Sequence, residues 1–189
     1  MYKSRRQQIL GCAAVLFRKK GFKGTSLAEI AKELGMEAPS LYNHIKSKNE
    51  ILEALLMDIA HRFTRGMEEI NGASLAADQK LEKLVGLHVR LTVDHTDAIS
   101  LVTGEWVHLK KPALDDYIQL RNAYETQFKD ILVQCMKLDY FNPLSPDIAL
   151  FSILSSLHWL YSWYDRNRDI SPLDLEKEMV QCLIAGLRS

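Results

Sequence analysis

The chain has 189 residues, 47% of them hydrophobic, with 24 Lys/Arg against 24 Asp/Glu. That length makes one ample core or a small domain joined to a medium one, and the composition excludes a disordered chain. The neutral total excludes a uniformly basic nucleic-acid binder, but the charge is divided: residues 1–50 hold ten Lys/Arg and four Asp/Glu, net +6, and the remainder carries net −6, a basic head on an acidic body.

Hydrophobic spacing predicts an all-α chain of about nine helices with no confident strand. A first helix spans about Ser4 to Lys20, with Ile9, Leu10, Ala13, Leu16 and Phe17 on one face. Gly21 ends it and Phe22 can clamp the turn. Lys3, Arg5 and Arg6 stand at its start, where an arm or first turn can touch phosphate.

The stretch from Thr25 to Leu52 is the most informative. Ser26 and Glu29 have the spacing of a capping box, and Leu27, Ile30, Ala31 and Leu34 then share an apolar face. Gly35 suits the left-handed turn that ends a helix, and Met36 can plug the small core behind it. Pro39 fits the first turn of a second short helix, whose buried face is Leu41 and Ile45. Ser40, Tyr42, Asn43 and His44 are left for the other face. Ser47 and Glu50 read as a second capping box opening a long helix, with Lys48 in its first turn. Two helices joined by a tight turn, the second with an exposed polar face, form a helix-turn-helix that fits the DNA major groove.

The long helix carries Ile51, Leu52, Leu55, Leu56, Ile59 and Phe63 to about Glu69. After Asn71-Gly72, Leu81, Leu84, Val85, His88 and Leu91 line a fifth helix. Asp97 can cap a short sixth, to about His108. Lys110-Lys111-Pro112 is a break, and a seventh helix runs to about Leu138. Ser145-Pro146 and Ser171-Pro172 each pair a cap residue with Pro at the first helical position. They open an eighth helix, to about Arg166, and a ninth. The boundary is expected near the start of the long helix: residues 1–47 as a three-helix DNA-binding domain, 48–189 as a helical effector-binding and dimerisation domain.

Residues 5 to 52 or so resemble the DNA-binding domain of the TetR family of bacterial transcription regulators. The resemblance rests on Thr25-Ser26, Ile30-Ala31, Gly35, Leu41-Tyr42-Asn43-His44-Ile45 and Ser47-Lys48. It implies that Tyr42, His44 and Lys48 touch the DNA backbone, with Thr25 and Lys46 as additions. Ser40 and Asn43 are the candidates for base edges, and Ala38 and Pro39 for a thymine methyl. Glu37 departs from the pattern. It stands where such proteins usually have a Ser cap, is a poor cap, and puts a negative charge near DNA. Ala38 stands where a basic residue is common, and Ile45 replaces the usual Phe.

In the body, Ala149, Ser152 and Ser156 are small and helically spaced, and Met179, Leu183 and Leu187 are apolar. The resemblance implies that the last two helices pair with a second copy, so that a two-fold homodimer reads two half-sites. Amphipathic residues crowd the body, including Trp159 and Trp163, and such residues can line a mostly apolar pocket with a few polar anchors. The candidates are His88, Trp106, Arg121, Tyr124, His158, Tyr161 and Arg166. The segment Trp163 to Leu175, WYDRNRDISPLDL, resembles regulators that respond to acyl-CoA, so the expected effector is an acyl-CoA or another small lipid-like molecule.

Cys12, Cys135 and Cys182 are widely spaced and read as small core residues, with neither a disulfide framework nor a metal site. No phosphate loop, nucleophile elbow or metal-ligand motif supports an enzyme, and no cofactor is expected. The chain shows no signal peptide and no apolar run of membrane-spanning length, so a cytoplasmic protein is expected. Together these readings describe a repressor released from a palindromic operator by a hydrophobic effector. The alternative is a helical protein-interaction module without DNA or effector binding.

Overall fold

The computed structural model describes residues 4–139 and 141–188; Lys3 lies outside them. Nine α-helices and one 3-10 turn are present among the described residues, with no strand. The all-helical expectation holds.

Helix α1 is Arg5–Lys20. Ser4 caps it by accepting from the Gln7 N–H while the Gln7 side chain takes the Ser4 N–H. Arg18, Lys19 and Lys20 fill its last turn, where cations offset the exposed carbonyl end. Gly21 stops it at φ 75°. Helix α2 is Leu27–Glu33, opened by the expected Ser26–Glu29 capping box. It closes in a Schellman arrangement: the Gly35 N–H donates to the Lys32 carbonyl and the Met36 N–H to the Ala31 carbonyl. Gly35 sits at φ 64°, which a side chain would strain. Helix α3 is Ala38–Leu41, and α4 is Lys48–Gly72, three residues longer than expected.

Helix α5 is Ala77–Asp94 and α6 is Thr96–Val102. The sixth helix was expected to reach His108, but it breaks. The Thr103 hydroxyl donates to the Ser100 carbonyl, Gly104 follows, and Glu105–His108 form a separate 3-10 turn. Asp97 lies within the first turn of α6 and pairs with Arg18 at 3.0 Å instead of capping. Helix α7 is Ala113–Cys135. Helices α8, Pro146–Tyr164, and α9, Pro172–Ala185, start at the expected Ser-Pro pairs. Ser171 accepts from the Asp174 N–H, whereas Ser145 makes no side-chain cap bond.

The chain divides into two compact units. The first comprises residues up to Ile59 together with Asp97–Ile118. Ile9, Ala13, Phe17, Ile30, Ala31, Leu41, Ile45, Ile51 and Leu52 form its interior. The segment after α6 is tied into this unit. Asn49 donates to the His108 carbonyl at 3.1 Å, and the His108 ring stacks on Phe22 at 5.6 Å. The second unit comprises Ala60–Thr96 and residues from Gln119 onward. There α5 packs against α8 and α9 around Leu81, Leu84, Val85, Phe128, Leu132, Ile153 and Leu157. Among the described residues, no helix is long and apolar enough to cross a membrane.

Candidate nucleic-acid interface

The Schellman turn sends the chain from α2 into α3 with two apolar anchors, Leu41 and Ile45, fully buried. Helical hydrogen bonding continues past α3, since the Ile45 N–H donates to the Leu41 carbonyl. With 41 and 45 inward, the other face turns to solvent. Pro39, Ser40, Asn43, His44 and Lys46 are exposed, Tyr42 is 56% exposed, and Ala38 is half-buried. Mostly polar side chains thus protrude above two buried apolar anchors.

The end of that segment is held by Glu50. Its carboxylate accepts from the Lys46 N–H at 2.8 Å and from Arg6 at 3.3 Å. The Ser47 hydroxyl accepts from the Glu50 N–H at 3.1 Å. The expected second capping box is therefore half formed, with Glu50 reaching one residue further back than the motif predicts. On the other side, Glu29 binds Lys20 at 2.8 Å. The Lys20 bond and the Ser26 cap bonds lower its pKa to about 2.

Two expected DNA contacts are placed differently. Thr25 is only 2% exposed, and its hydroxyl donates to the Leu16 and Gly21 carbonyls. The Lys48 ammonium donates to the Phe22 and Thr25 carbonyls, each at 2.6 Å, and lies 4.4 Å from the centre of the Phe22 ring. These carbonyls belong to the α1–α2 turn, which gives the lysine buried acceptors. Both side chains brace the head internally.

In the second unit, three of the expected pocket residues come together. His88 Nε2 shares a 2.9 Å hydrogen bond with the Tyr124 hydroxyl, both buried, and the His158 ring lies 6.4 Å from that of His88. Phe63 and Phe128 complete the cluster. Burial first, and His158 second, push the His88 pKa down to about 3, so its imidazole is neutral. Burial also lowers His158, with Arg121 adding to it, and raises Tyr124. Arg121 lies near this group and pairs with Glu125 at 3.9 Å. Three candidates are elsewhere. Trp106 belongs to the first unit, where it stacks on Tyr117. Tyr161 stacks on Trp159, and Arg166 is exposed beyond α8, donating to the Ser162 carbonyl.

Of the residues expected to meet a second copy, Ser152 and Ser156 are exposed and Met179 and Leu183 half-buried. Ala149 and Leu187 are buried within their own chain, because they face the α5–α8–α9 core. The larger apolar residues on this surface were missed: Ile148 is 67%, Phe151 72% and Trp159 63% exposed, with Trp163 further along α8. Trp159 and Trp163 read in the sequence as pocket residues. The available signal was that α8 carries large apolar side chains on both faces, and such a helix must be covered on both. Two shallow grooves run along the surface, one lined by Ile148, Ser152 and Leu183, the other by Trp159, Trp163 and Met179. Cys182 borders both and is exposed, contrary to the expectation of three core cysteines.

Comparison with known proteins gives a consistent picture. The HTH-type transcriptional repressor KstR2 of Mycolicibacterium smegmatis is 26% identical over 189 residues, covering 97% of this chain and 91% of that one. The structure of the ketosteroid transcriptional regulator KstR2 of Mycobacterium tuberculosis superposes with TM-score 0.92 at 21% identity, over 100% of this chain and 97% of that one. The structure of AibR in complex with isovaleryl coenzyme A and operator DNA superposes with TM-score 0.79 at 22% identity, over 95% and 97% of the two chains. Residues 9–55 match the family described as bacterial regulatory proteins, tetR family, and residues 74–187 match the tetracyclin repressor-like C-terminal domain. With both domain descriptions matched in order, and the second alone covering more than half its length, the chain belongs to the tetR family of bacterial regulatory proteins.

Proposed function

We propose that the protein is a cytoplasmic, homodimeric repressor that binds a palindromic operator and is released by a small hydrophobic effector. The observation that carries the reading is the protruding face Ser40, Tyr42, Asn43, His44 and Lys46 above buried Leu41 and Ile45. In this reading Tyr42, His44 and Lys46 contact phosphate, Ser40 and Asn43 reach base edges, and Ala38 and Pro39 meet thymine methyls. Residues 1–47 serve as the DNA-binding domain and 48–189 as the effector and dimerisation domain. The exposed apolar stripe of α8 and the adjoining α9 form the dimer surface. A second copy covers them, and the pair presents two reading segments to two half-sites. No enzymatic step belongs to this function.

For the effector, buried His88 and Tyr124, with half-buried His158 beside them, supply polar anchors among apolar side chains. Burying a lipid-like ligand against such side chains contributes about 25 cal/mol per Å² of apolar surface removed from water. AibR, which binds isovaleryl coenzyme A together with operator DNA, and KstR2, a ketosteroid transcriptional regulator, support an acyl-CoA or related lipid. Selection of bound duplexes from a random library tests the DNA reading. An inverted repeat whose binding weakens steeply with salt is expected, and failure to enrich any sequence refutes it. Acyl-CoA should release the selected duplex and free CoA should not; release by neither refutes the effector assignment.

A further inference from the structure

Glu37 is the N-cap of α3, exposed, with extended backbone at φ −69° and ψ 137°. Its carbonyl accepts from the Ser40 N–H at 2.9 Å. Its side chain makes no cap bond, and no hydrogen bond or ion pair to its carboxylate occurs among the described residues. A free carboxylate on the leading end of a DNA-reading segment is costly, because it faces the phosphate charge with nothing to neutralise it.

Building on the DNA-binding reading above, we propose that Glu37 is a specificity-determining residue that selects cytosine at one position of each half-site. In helix-turn-helix proteins the N-terminal residues of the reading helix reach base edges. A carboxylate there only accepts hydrogen bonds. Phosphate, guanine N7 and O6, and thymine O4 are all acceptors and repel it. Two donors remain in the major groove, cytosine N4–H₂ and adenine N6–H₂. Adenine places its N7 acceptor beside its amino group, whereas cytosine has a C–H edge there. Cytosine is therefore the partner. The neighbours sharpen the assignment. Ala38 and Pro39 offer no side-chain hydrogen bond, and the Ser40 hydroxyl both donates and accepts, so it discriminates poorly. The same carboxylate lowers affinity for every sequence that lacks the amino group.

The test uses the full-length protein and its Glu37→Ala and Glu37→Gln variants, each checked for unchanged helix content. Duplexes are selected from a random library with all three. The wild type should return an inverted repeat with a symmetric cytosine. Glu37→Ala should lose that preference, and Glu37→Gln should move it toward adenine, whose N6 and N7 suit an amide. Changing the cytosine pair to a thymine pair should weaken wild-type binding about 5- to 30-fold and Glu37→Ala less than twofold. Both variants should bind unrelated duplex several-fold more tightly. An unaltered motif in all three proteins overturns this inference while leaving the operator reading intact. A wild-type protein that enriches no sequence overturns both.

Discussion

Replacing Lys48 separates an internal brace from a phosphate contact. Its ammonium donates to two carbonyls at 2.6 Å and lies over the Phe22 ring at 4.4 Å. A hydrogen bond to a charged group is worth about 1.5–3 kcal/mol, and a partly exposed cation–π contact about 0.5–1 kcal/mol. The lysine is half-buried, so water recovers part of this loss. Lys48→Met, which keeps the aliphatic stem, should therefore destabilise the head by about 2–4 kcal/mol. A phosphate contact behaves differently. Its removal leaves stability within about 0.5 kcal/mol and reduces the slope of log K against log salt by about 0.9 per subunit, about 1.8 for a dimer. The assay is urea denaturation followed by circular dichroism, paired with DNA binding at several salt concentrations. Lower stability with an unchanged salt slope is expected. Unchanged stability with a slope reduced by nearly two refutes the brace.

Acid should destabilise the body through His88. Its pKa of about 3 in the fold lies below the ordinary 6.5, so the unfolded chain binds the proton first. Stability is full above about pH 6.5 and falls as pH drops toward 3, with a slope approaching about 1.4 kcal/mol per pH unit from this group; His88→Gln should flatten that slope in denaturation at pH 4.5 to 7. Gly35→Ala should cost about 1–2 kcal/mol, measured by thermal unfolding, because φ 64° strains any side chain with a Cβ. Phe151→Glu, at a side chain 72% exposed within one chain, should shift sedimentation toward monomer and lower operator affinity without reducing helix content.

Much of the head was legible in the sequence because its signals are local. A capping box needs a hydroxyl and a carboxylate three residues apart, and Ser26 and Glu29 form one. A left-handed stop needs a residue without a Cβ, and Gly35 takes it. Leu41 and Ile45 are four apart on one turn, so both bury together and expose Ser40, Asn43 and His44. The Ser-Pro starts of α8 and α9 follow the same logic. None of these requires knowing what lies across the core.

What the sequence left open depends on distant partners. Lys48 and Thr25 look like exposed polar residues beside the reading helix, but the end of α1 and the turn after it present carbonyls to them. Glu50 fits a capping box, yet Arg6, far away in sequence, shares its carboxylate. Helical periodicity also could not tell a side chain buried in its own core from one awaiting a second copy. Ala149 and Phe151 are two residues apart on α8; one is buried and the other 72% exposed. Local hydrogen-bond stereochemistry thus determined the helices and the reading turn. The positions of α5 and α9 around α8 determined which apolar face was already covered, since burial depends on which neighbour excludes water.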